Sequence, residues 1–491
     1  MKKTYTIFFL FFTFHIYAQN FKTFEHGNTS IDIYANGTLK NLIIPKDSNK
    51  MALKQLNLWL AAKQNNQLYV AANSQISGTD FFPGVLDTMD GSADDTAKWN
   101  QVFTVTKTEI QNHIANFNKP NYNTPDAILN WPGSSGNTFP KVVASFIDFN
   151  QNGIYEPSLG DVPFIKGDVA TCVVYNDNFA SHSTTNGIPL KAQILLTLDY
   201  FSNQNENTVY ATYLIHNRSG LAYDSTYAGI WADMALGNEG DEYVNTDSNR
   251  NSMIVFNGND LDSFPKGYGQ NPPALGIVFL NKKLNQTMSI ADDNSVIGNP
   301  TNPLAYFNYL EGKWKDGSHL TTGFNGYQSG IETNYMFNGD ACNSIGWTEK
   351  GSVLTPGKRR MLGSVFQQNF ERNKFIKIEI ALVWNRANSA NESLCGLAEK
   401  IDSAKVFYEQ KIKASVLPQK QLEFKIYPNP VENVFTIEST SNYRCEILDI
   451  NGKHIQNINI HSGQNQIDLS EYKSGIYIIN IEGFHRKIIK K

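Results

Sequence analysis

The chain has 491 residues, with 42 lysines and arginines against 46 aspartates and glutamates, so its formal net charge is −4. With 18% charged and 41% hydrophobic residues, it is neither a charge-rich disordered protein nor a basic nucleic-acid-binding protein. Phenylalanine (30), tyrosine (23) and tryptophan (7) are abundant, which favours β-rich domains. Beyond the N-terminus no apolar run approaches the ~18 residues of a membrane-spanning helix, so we predict no transmembrane segment in the mature chain.

The first 18 residues predict a secretory signal peptide. Lys2 and Lys3 precede the largely apolar run Ile7–Phe14, and the small residue Ala18 precedes the expected cleavage point. The alternative is a buried N-terminal strand or helix, but the lysine pair and the scarcity of polar residues favour export. We therefore expect the mature chain to begin near Gln19.

The cargo region, residues 19–415, has the pattern of a mainly β structure with few helices. Strand-like segments predict two hairpins and one long strand, at residues 56–70, 194–215 and 376–384. Helical signals occur at the capping box Thr106–Glu109 and over residues 394–412. We predict one or two β-sandwich-like units, and a division between two units would fall near residues 170–190.

The clearest chemical motif of the cargo is the loop that begins at Asp148. Oxygen-bearing side chains at alternate positions, followed by Gly153, are typical of the first part of a calcium loop. The pattern departs from an EF-hand because strand-like residues precede it and Leu159 occupies the last ligand position. We predict a helix-free calcium site whose ligands are Asp148, Asn150, Asn152, the carbonyl of Ile154, Glu156 and Asp161. The alternative is a metal-free turn in which Asp and Asn bind their own backbone.

A second acidic segment has the composition of a solvated acidic loop, and it is also a candidate for another cation site, formed by Asp233, Asp241 and Asp247. A third interpretation stays open for this segment. It could supply a carboxylate pair for glycoside hydrolysis, which needs two carboxyl groups ~5–9.5 Å apart. No nucleophile elbow, zinc-binding histidine motif or phosphate-binding glycine motif occurs in the sequence, so we assign no catalytic residue.

Cysteines and aromatic residues give weaker signals. Cys172, Cys342, Cys395 and Cys445 allow three connectivities if all four pair, and their spacing excludes a zinc ribbon or a Cys-x-x-Cys redox motif. We expect no bridge to Cys445, which lies in the terminal domain, and Cys342 with Cys395 is our predicted pair. Three aromatic residues among Gly, Pro and Asn could form a sugar-stacking surface or could be core residues: Trp131, Tyr268 and Trp314.

The C-terminus predicts a small antiparallel sandwich over residues 423–491, after a linker at residues 416–422. Asn451–Gly452 is typical of a tight hairpin between two of its strands. The segment resembles the type A C-terminal sorting domain of type IX secretion substrates. The residues that carry the resemblance include Tyr427, Pro428, Asn429, Pro430, Gly452, Gly475 and Tyr477, ahead of a basic tail.

That resemblance implies an immunoglobulin-like terminal domain, recognition by the type IX secretion machinery, and export across the outer membrane with surface anchoring or release. Over Leu56–Ala387 the cargo is similar to a family of large secreted type IX substrates, a resemblance that implies no particular activity. It rests on motifs such as Gly78–Gly84 and Gly160–Pro163.

We therefore predict a secreted or outer-surface protein whose cargo is a calcium-stabilised, β-rich binding, adhesion or structural module for a glycan or another surface ligand. The rival hypothesis is a secreted polysaccharide hydrolase with carboxylates drawn from Asp148, Asp161, Asp168, Asp233 and Asp241. The two differ in geometry. A hydrolase places carboxylates from distant segments across a cleft, whereas a calcium site surrounds them with further oxygen ligands.

Overall fold

The computed structural model describes residues 20–75, 78–134, 143–149, 153–202, 206–263, 265–352, 354–413, 424–439, 443–449, 454–481 and 484–491. These residues fall into two compact units that divide between Gln410 and Lys411. The predicted signal peptide, the predicted linker and the Asn451–Gly452 turn lie outside the described residues.

The first unit is built mainly from strands, which confirms the prediction of a mainly β fold. Its strands are β1 (Phe21–His26), β2 (Thr29–Tyr34), β3 (Leu39–Ile43), β4 (Met51–Gln64), β5 (Gln67–Ala72), β6 (Phe82–Pro83), β7 (Phe103–Thr106), β8 (Phe146–Ile147), β9 (Val162–Pro163), β10 (Val169–Asn176), β11 (Ala192–Tyr200), β12 (Thr208–Asn217), β13 (Tyr223–Met234), β14 (Glu242–Asp247), β15 (Ser252–Asn257), β16 (Leu261–Asp262), β17 (Gly269–Gln270), β18 (Ala274–Phe279), β19 (Gln286–Ile290), β20 (Arg360–Phe370) and β21 (Phe375–Asn385).

Helices are few in the described part of the chain. They are α1 (Thr96–Trp99), α2 (Lys107–Asn116), α3 (Asp126–Leu129), α4 (Pro303–Glu311) and α5 (Ala390–Phe407). The predicted capping box is confirmed at α2, where the Thr106 hydroxyl accepts from the Glu109 amide and the Glu109 carboxylate accepts from the Thr106 amide. The helix predicted over residues 394–412 is also confirmed as α5, which begins four residues earlier and continues into a π turn, Tyr408–Ile412.

Two antiparallel sheets form the body of the first unit. One has the order β1-β2-β3-β4-β13-β20-β19, with β5 also paired to β4; the other has the order β14-β15-β18-β21-β12-β11-β10-β6, with β7 also paired to β10. The hairpins predicted at residues 56–70 and 194–215 are the β4–β5 and β11–β12 pairs.

Apolar side chains from both sheets share one buried core, so the sheets pack on one another as in a β-sandwich. Trp59 of β4 and Trp231 of β13 stack with ring centroids 5.8 Å apart, and Tyr306 of α4 meets Trp59 edge-on. Helix α5 packs against β15, β18 and β21 of the second sheet. A division near residues 170–190 would cut this sheet, because β10 and β11 pair residue by residue.

The second unit is a small β domain with its own apolar core. Its strands are β22 (Phe424–Tyr427), β23 (Val434–Ser439), β24 (Tyr443–Asp449), β25 (His454–Ile460), β26 (Gly463–Asp468), β27 (Gly475–Ile481) and β28 (Phe484–Lys490). They form two antiparallel sheets, β22-β23-β26 and β25-β24-β27-β28. Among the described residues of either unit, no helix has the length and apolar character needed to cross a membrane.

Candidate functional site

The loop predicted to bind calcium is closed at its base by a short antiparallel ladder. Strands β8 and β9 pair, with Ile147 opposite Val162. This pairing places Asp148, which follows β8, close to Asp161, which precedes β9. A 3₁₀ turn at Pro157–Leu159 completes the loop. Asn150 and Asn152, two of the predicted ligands, lie outside the described residues.

Asp148 and Asp161 organise this loop through backbone amides. The fully buried Asp161 accepts from the amide of Phe149 (2.9 Å) and from that of Glu156 (2.8 Å). Asp148 accepts from the Gly153 amide through Oδ2 (2.7 Å), but its Oδ1 is buried and has no hydrogen-bond partner among the described residues. An acceptor left in this state loses its hydration without compensation, which is a reason for a cation to bind there.

The electrostatics of the loop point the same way. Burial raises the pKa of Asp161, against the effect of its two amide donors, and the charges of Asp148 and Glu156 raise it further. Three carboxylates therefore repel one another within one loop. The side chain of Ile154 is a hydrocarbon without a ligand atom, so only its backbone carbonyl suits a cation. No group of three Asp, Glu, His or Cys side chains among the described residues has metal-binding geometry, so the site as described needs further oxygen ligands.

The second predicted cation site, Asp233 with Asp241 and Asp247, is not assembled. Asp233 is the penultimate residue of β13 in the first sheet, whereas Asp247 ends β14 in the second sheet. Asp233 lies 3.5 Å from Nε of Arg360, and Asp247 lies 3.0 Å from Nη1 of Arg250. Asp241 precedes β14 and accepts from Nδ2 of Asn257 (2.6 Å). Each carboxylate therefore has its own surroundings, because β13 and β14 diverge into different sheets.

A buried acidic residue beside Asp241 was not predicted from the sequence. Glu242 begins β14 and is fully buried. Neither of its carboxylate oxygens has a hydrogen-bond partner among the described residues. The available signal was the period-two alternation of β14, which puts Glu242 on the same face as the core residue Val244.

The carboxylates of the rival hydrolase hypothesis have their own hydrogen-bond or ion-pair partners, such as Asn257 for Asp241 and Arg360 for Asp233. Asp168 accepts from the amide and the hydroxyl of Ser202 (2.8 and 2.6 Å), and these bonds hold its pKa below the usual value, with a smaller contribution from Lys107. Asp148 and Asp161 lie together but belong to one loop. The aromatic residues Trp131, Tyr268 and Trp314 are buried, so these three are not an exposed sugar-stacking surface.

A polar groove runs along α5 on the outer side of the second sheet. It consists of two adjoining clefts of about 350 and 300 Å³ that share Ala341 and Leu394, and we call it the α5 groove. One side of the larger cleft is Asn245 of β14, whose Nδ2 donates to the carbonyl of Gly339 (2.8 Å). Since that donor fixes the amide orientation, Oδ1 of Asn245 is left buried and unpartnered among the described residues.

A disulfide between Cys342 and Cys395 braces the groove, and it confirms the predicted pair. Both cysteines line the larger cleft. The bridge joins the loop before β20 to the first half of α5 across 53 residues of sequence. Cys172 and Cys445 are buried free thiols.

The predicted sorting motif forms a defined corner of the second unit. The side-chain amide of Asn429 pairs with the backbone of β28 as a neighbouring strand would. Its Nδ2 donates to the carbonyl of Lys487 (2.7 Å), and its Oδ1 accepts from the amide of Ile489 (2.9 Å). Its neighbour Tyr427 is partly exposed and donates to Glu438 (3.1 Å). Tyr477, two residues after Gly475, is buried and donates to the carbonyl of Lys473 (2.7 Å).

This corner lies within a segment that matches a known family. Residues 425–491 match the secretion system C-terminal sorting domain. The protein is a type IX secretion substrate. Its location is therefore extracellular, either secreted or at the outer cell surface, and its export involves the type IX machinery. The match covers the sorting domain and leaves the cargo unassigned.

Comparison with other proteins adds little about the cargo. No curated protein matches the chain. A polysaccharide lyase structure aligns with 9% identity and a TM-score of 0.19, over 61% of this chain and 34% of the lyase. The adhesin domain of Epf from Streptococcus pyogenes aligns with 7% identity and a TM-score of 0.13, over 65% of this chain and 83% of that domain. This chain thus spans about a third of the lyase, and neither likeness carries an argument about the cargo.

Proposed function

We propose that the cargo is an extracellular binding module that holds a hydroxyl-rich ligand, such as a neutral glycan, in the α5 groove and is stabilised by calcium at the Asp148 loop. The observation that carries the proposal is the buried, unpartnered Oδ1 of Asn245 in a braced polar cleft. A ligand hydroxyl can supply the missing donor.

The charges of the groove favour a neutral ligand. Arg250 is bound by Asp247 and Asp402, each at 3.0 Å, and Nζ of Lys350 donates to the carbonyl of Gly258 (2.9 Å). The basic side chains of the lining are therefore already engaged, so an anionic ligand gains little. The cleft volumes lie at the lower end of the ~300–1,000 Å³ typical of ligand pockets, which suits one or two sugar rings.

The test of the groove is affinity electrophoresis of the mature protein in gels that contain a soluble neutral polysaccharide, across a panel of glucans, mannans and xylans. Asn245→Ala and Asn391→Ala change one buried and one exposed residue of the lining, and Asn118→Ala is a matched exposed control outside it. We expect both groove variants to lose the retardation that the wild type shows with at least one polysaccharide, while the control keeps it. Equal retardation of all four proteins, or of none, contradicts the groove.

The calcium part of the proposal rests on the Asp148 loop. Asp148, Glu156 and Asp161 would supply carboxylate oxygens and Ile154 its carbonyl, together with Asn150 and Asn152, and these are the oxygen ligands that Ca²⁺ prefers. The chemistry that calcium supplies is charge neutralisation, which holds β8, β9 and the loop together.

Thermal melting with millimolar Ca²⁺ and with chelator tests the calcium loop. We expect Ca²⁺ to raise the melting temperature of the wild type, and we expect Asp148→Ala to lose part of that increase, since extracellular calcium sites have Kd values of ~10⁻⁴–10⁻³ M. An Asp148→Ala variant with the same calcium response as the wild type would overturn this assignment.

A further inference from the structure

The buried carboxylate of Glu242 lies in an environment of acceptors. It is fully buried, and both oxygens lack a hydrogen-bond partner among the described residues. Its backbone is well satisfied, because β14 pairs with β15 and the Glu242 carbonyl accepts from the Gly357 amide (3.1 Å). The side chain alone is therefore left without compensation, although a bare buried carboxylate is among the least tolerated groups in a protein interior.

The residue opposite Glu242 on the neighbouring strand also has a buried acceptor oxygen without a hydrogen-bond partner among the described residues. Asn257 of β15 is the direct cross-strand partner of Glu242, so the two side chains share one face of the sheet at about 4.5–5.5 Å between Cβ atoms. Asn257 is buried, and its Nδ2 is committed to Asp241 at 2.6 Å. Because a carboxylate only accepts, this bond fixes the amide orientation and leaves Oδ1 of Asn257 buried and unpartnered among the described residues.

Further negative charge surrounds the pair. Burial raises the pKa of Asp241 to about 6, with a further contribution from the charge of Asp262. Burial also raises the pKa of Glu242 to about 9, and the charges of Asp241, Asp262 and Glu239 add to it. Glu239 is already neutralised by lysines, including Lys54.

Asp262, whose charge acts on both Asp241 and Glu242, is itself bound by backbone amides. It accepts from Asn238 (3.1 Å) and from Tyr268 (2.6 Å). Gly237, with φ of 81°, lets the chain pass against this carboxylate, where a Cβ would overlap Oδ2 of Asp262. In the described part of the chain, no lysine, arginine or histidine forms an ion pair with Asp241 or Glu242. The cluster thus combines three buried acceptor atoms that lack a hydrogen-bond partner, the two carboxylate oxygens of Glu242 and Oδ1 of Asn257, with no paired cationic side chain among the described residues.

We propose that Glu242, Asp241 and Oδ1 of Asn257 form a binding site for a hard divalent cation, Ca²⁺ in the extracellular setting. Two carboxylates and an amide oxygen are ligands that calcium accepts, with water or carbonyl oxygens completing the shell. The site is mixed in composition, so it agrees with the absence of a group of three acidic, histidine or cysteine ligands among the described residues. It is separate from the Asp148 loop and replaces Asp233 and Asp247 as partners of Asp241.

The test is calorimetric titration of the mature, chelator-treated protein with CaCl₂. The wild type should bind two equivalents. Glu242→Gln removes the charge and keeps the shape, Asp241→Asn does the same at the partly exposed member, and Glu399→Gln is a matched exposed control on α5. We expect Glu242→Gln to lose one equivalent, Asp241→Asn to bind that equivalent at least tenfold more weakly, and the control to bind both as the wild type does.

The design separates this site from the calcium loop of the proposed function. Asp148→Ala should remove the other equivalent and leave the Glu242 site intact. If Glu242→Gln and Asp241→Asn bind calcium with the stoichiometry and affinity of Glu399→Gln, the Glu242 site is overturned, whatever Asp148→Ala shows. If Asp148→Ala alone has no effect, the loop assignment fails while the Glu242 site stands.

Discussion

Asp233 and Glu242 lie nine residues apart in one acidic segment, yet their charged neighbours in the fold have opposite signs. Both are buried. Around Asp233, Arg360 bridges to Asp292 (2.7 Å) and Asn299 (2.8 Å), and its Nε lies 3.5 Å from Asp233 itself. Around Glu242, the charged neighbours that bear on it are carboxylates. The first carboxylate is compensated within the chain, and the second is not.

The difference in charge compensation between Asp233 and Glu242 shows at which carboxylate a bound cation is needed. Burial raises the pKa of Asp233, but Arg360 and Lys54 act against that shift. Burial alone would also raise the pKa of Glu239, yet the hydrogen bond from Lys54 and the nearby lysine charges bring it below its usual value. Compensated carboxylates are thus structural. An uncompensated one has to be neutralised by a proton or by a cation.

The largest effect that sharpens this comparison is expected from Arg360→Met. Removal of the guanidinium leaves Asp233 buried without its partner, which typically costs about 3–5 kcal/mol of the free energy of unfolding. Urea denaturation measures this loss. Arg250→Met, which breaks the more exposed pairs with Asp247 and Asp402, is the control and should cost at most about 1 kcal/mol. Similar losses for both variants would contradict the conclusion that Arg360 compensates the buried charge of Asp233.

The Cys342–Cys395 disulfide contributes to the free energy of unfolding without any charge, so its removal provides a reference for the charged variants. Replacement of Cys342 and Cys395 by serine opens a loop of 53 residues, and chain-entropy arguments put the loss of stability at about 4 kcal/mol. Because no charge changes, the loss measured by urea denaturation should be equal at low and high salt. A loss that varies strongly with salt would show that the bridge acts through the charged residues of the groove.

Glu242→Gln should have the opposite sign to Arg360→Met in the absence of calcium. Without calcium, the buried Glu242 carboxyl group has to be neutralised by a proton, because burial raises its pKa to about 9, and it has no hydrogen-bond partner among the described residues. Leaving such a group unsatisfied costs about 1–3 kcal/mol or more, and the substitution removes the carboxyl group. We therefore expect the variant to be more stable than the wild type in chelator by about 1 kcal/mol, and less stable than the wild type in saturating calcium. Denaturation curves in both conditions check this reversal of order, and the same order in both conditions would break the comparison.

The smallest expected effect concerns His216, a buried base for which burial favours the neutral form. Burial lowers the pKa of His216 to about 4, and the charge of Arg218 adds to the shift. A folded-state pKa below the ordinary value of 6.5 means that the neutral form is favoured in the fold. Its stability contribution is present above pH 6.5 and is lost as the pH falls towards 4. Melting temperatures from pH 7 to 5 should therefore fall slightly more for the wild type than for His216→Gln, and parallel curves would contradict this.

Much of the fold could be predicted because it depends on local patterns. Period-two alternation gave the β4–β5 and β11–β12 hairpins, and the Thr106–Glu109 capping box marked the start of α2. The pairing of β13 with β4 and β20 could not be predicted from the sequence. It joins segments far apart in the chain, and their apolar patterns would allow other pairings equally well.

The site was harder to predict for a physical reason. Acidic residues are visible in a sequence, but their compensation is not, because it comes from distant residues such as Arg360 for Asp233. Asp241 was grouped in the sequence with Asp233 and Asp247, whereas its neighbours Glu242 and Asn257 meet only through the β14–β15 register. The α5 groove likewise requires the Cys342–Cys395 bridge and the docking of α5 on the sheet.

The most direct test of the account is a crystal structure of the mature protein grown in millimolar CaCl₂, with anomalous scattering used to identify ions. We predict a calcium peak between Glu242, Asp241 and Oδ1 of Asn257, with distances of about 2.3–2.6 Å from the calcium ion to its oxygen ligands. A structure without a peak there, in which a carboxyl oxygen of Glu242 lies within hydrogen-bond distance of Oδ1 of Asn257, would contradict it, because the carboxyl group would then be neutralised by a proton.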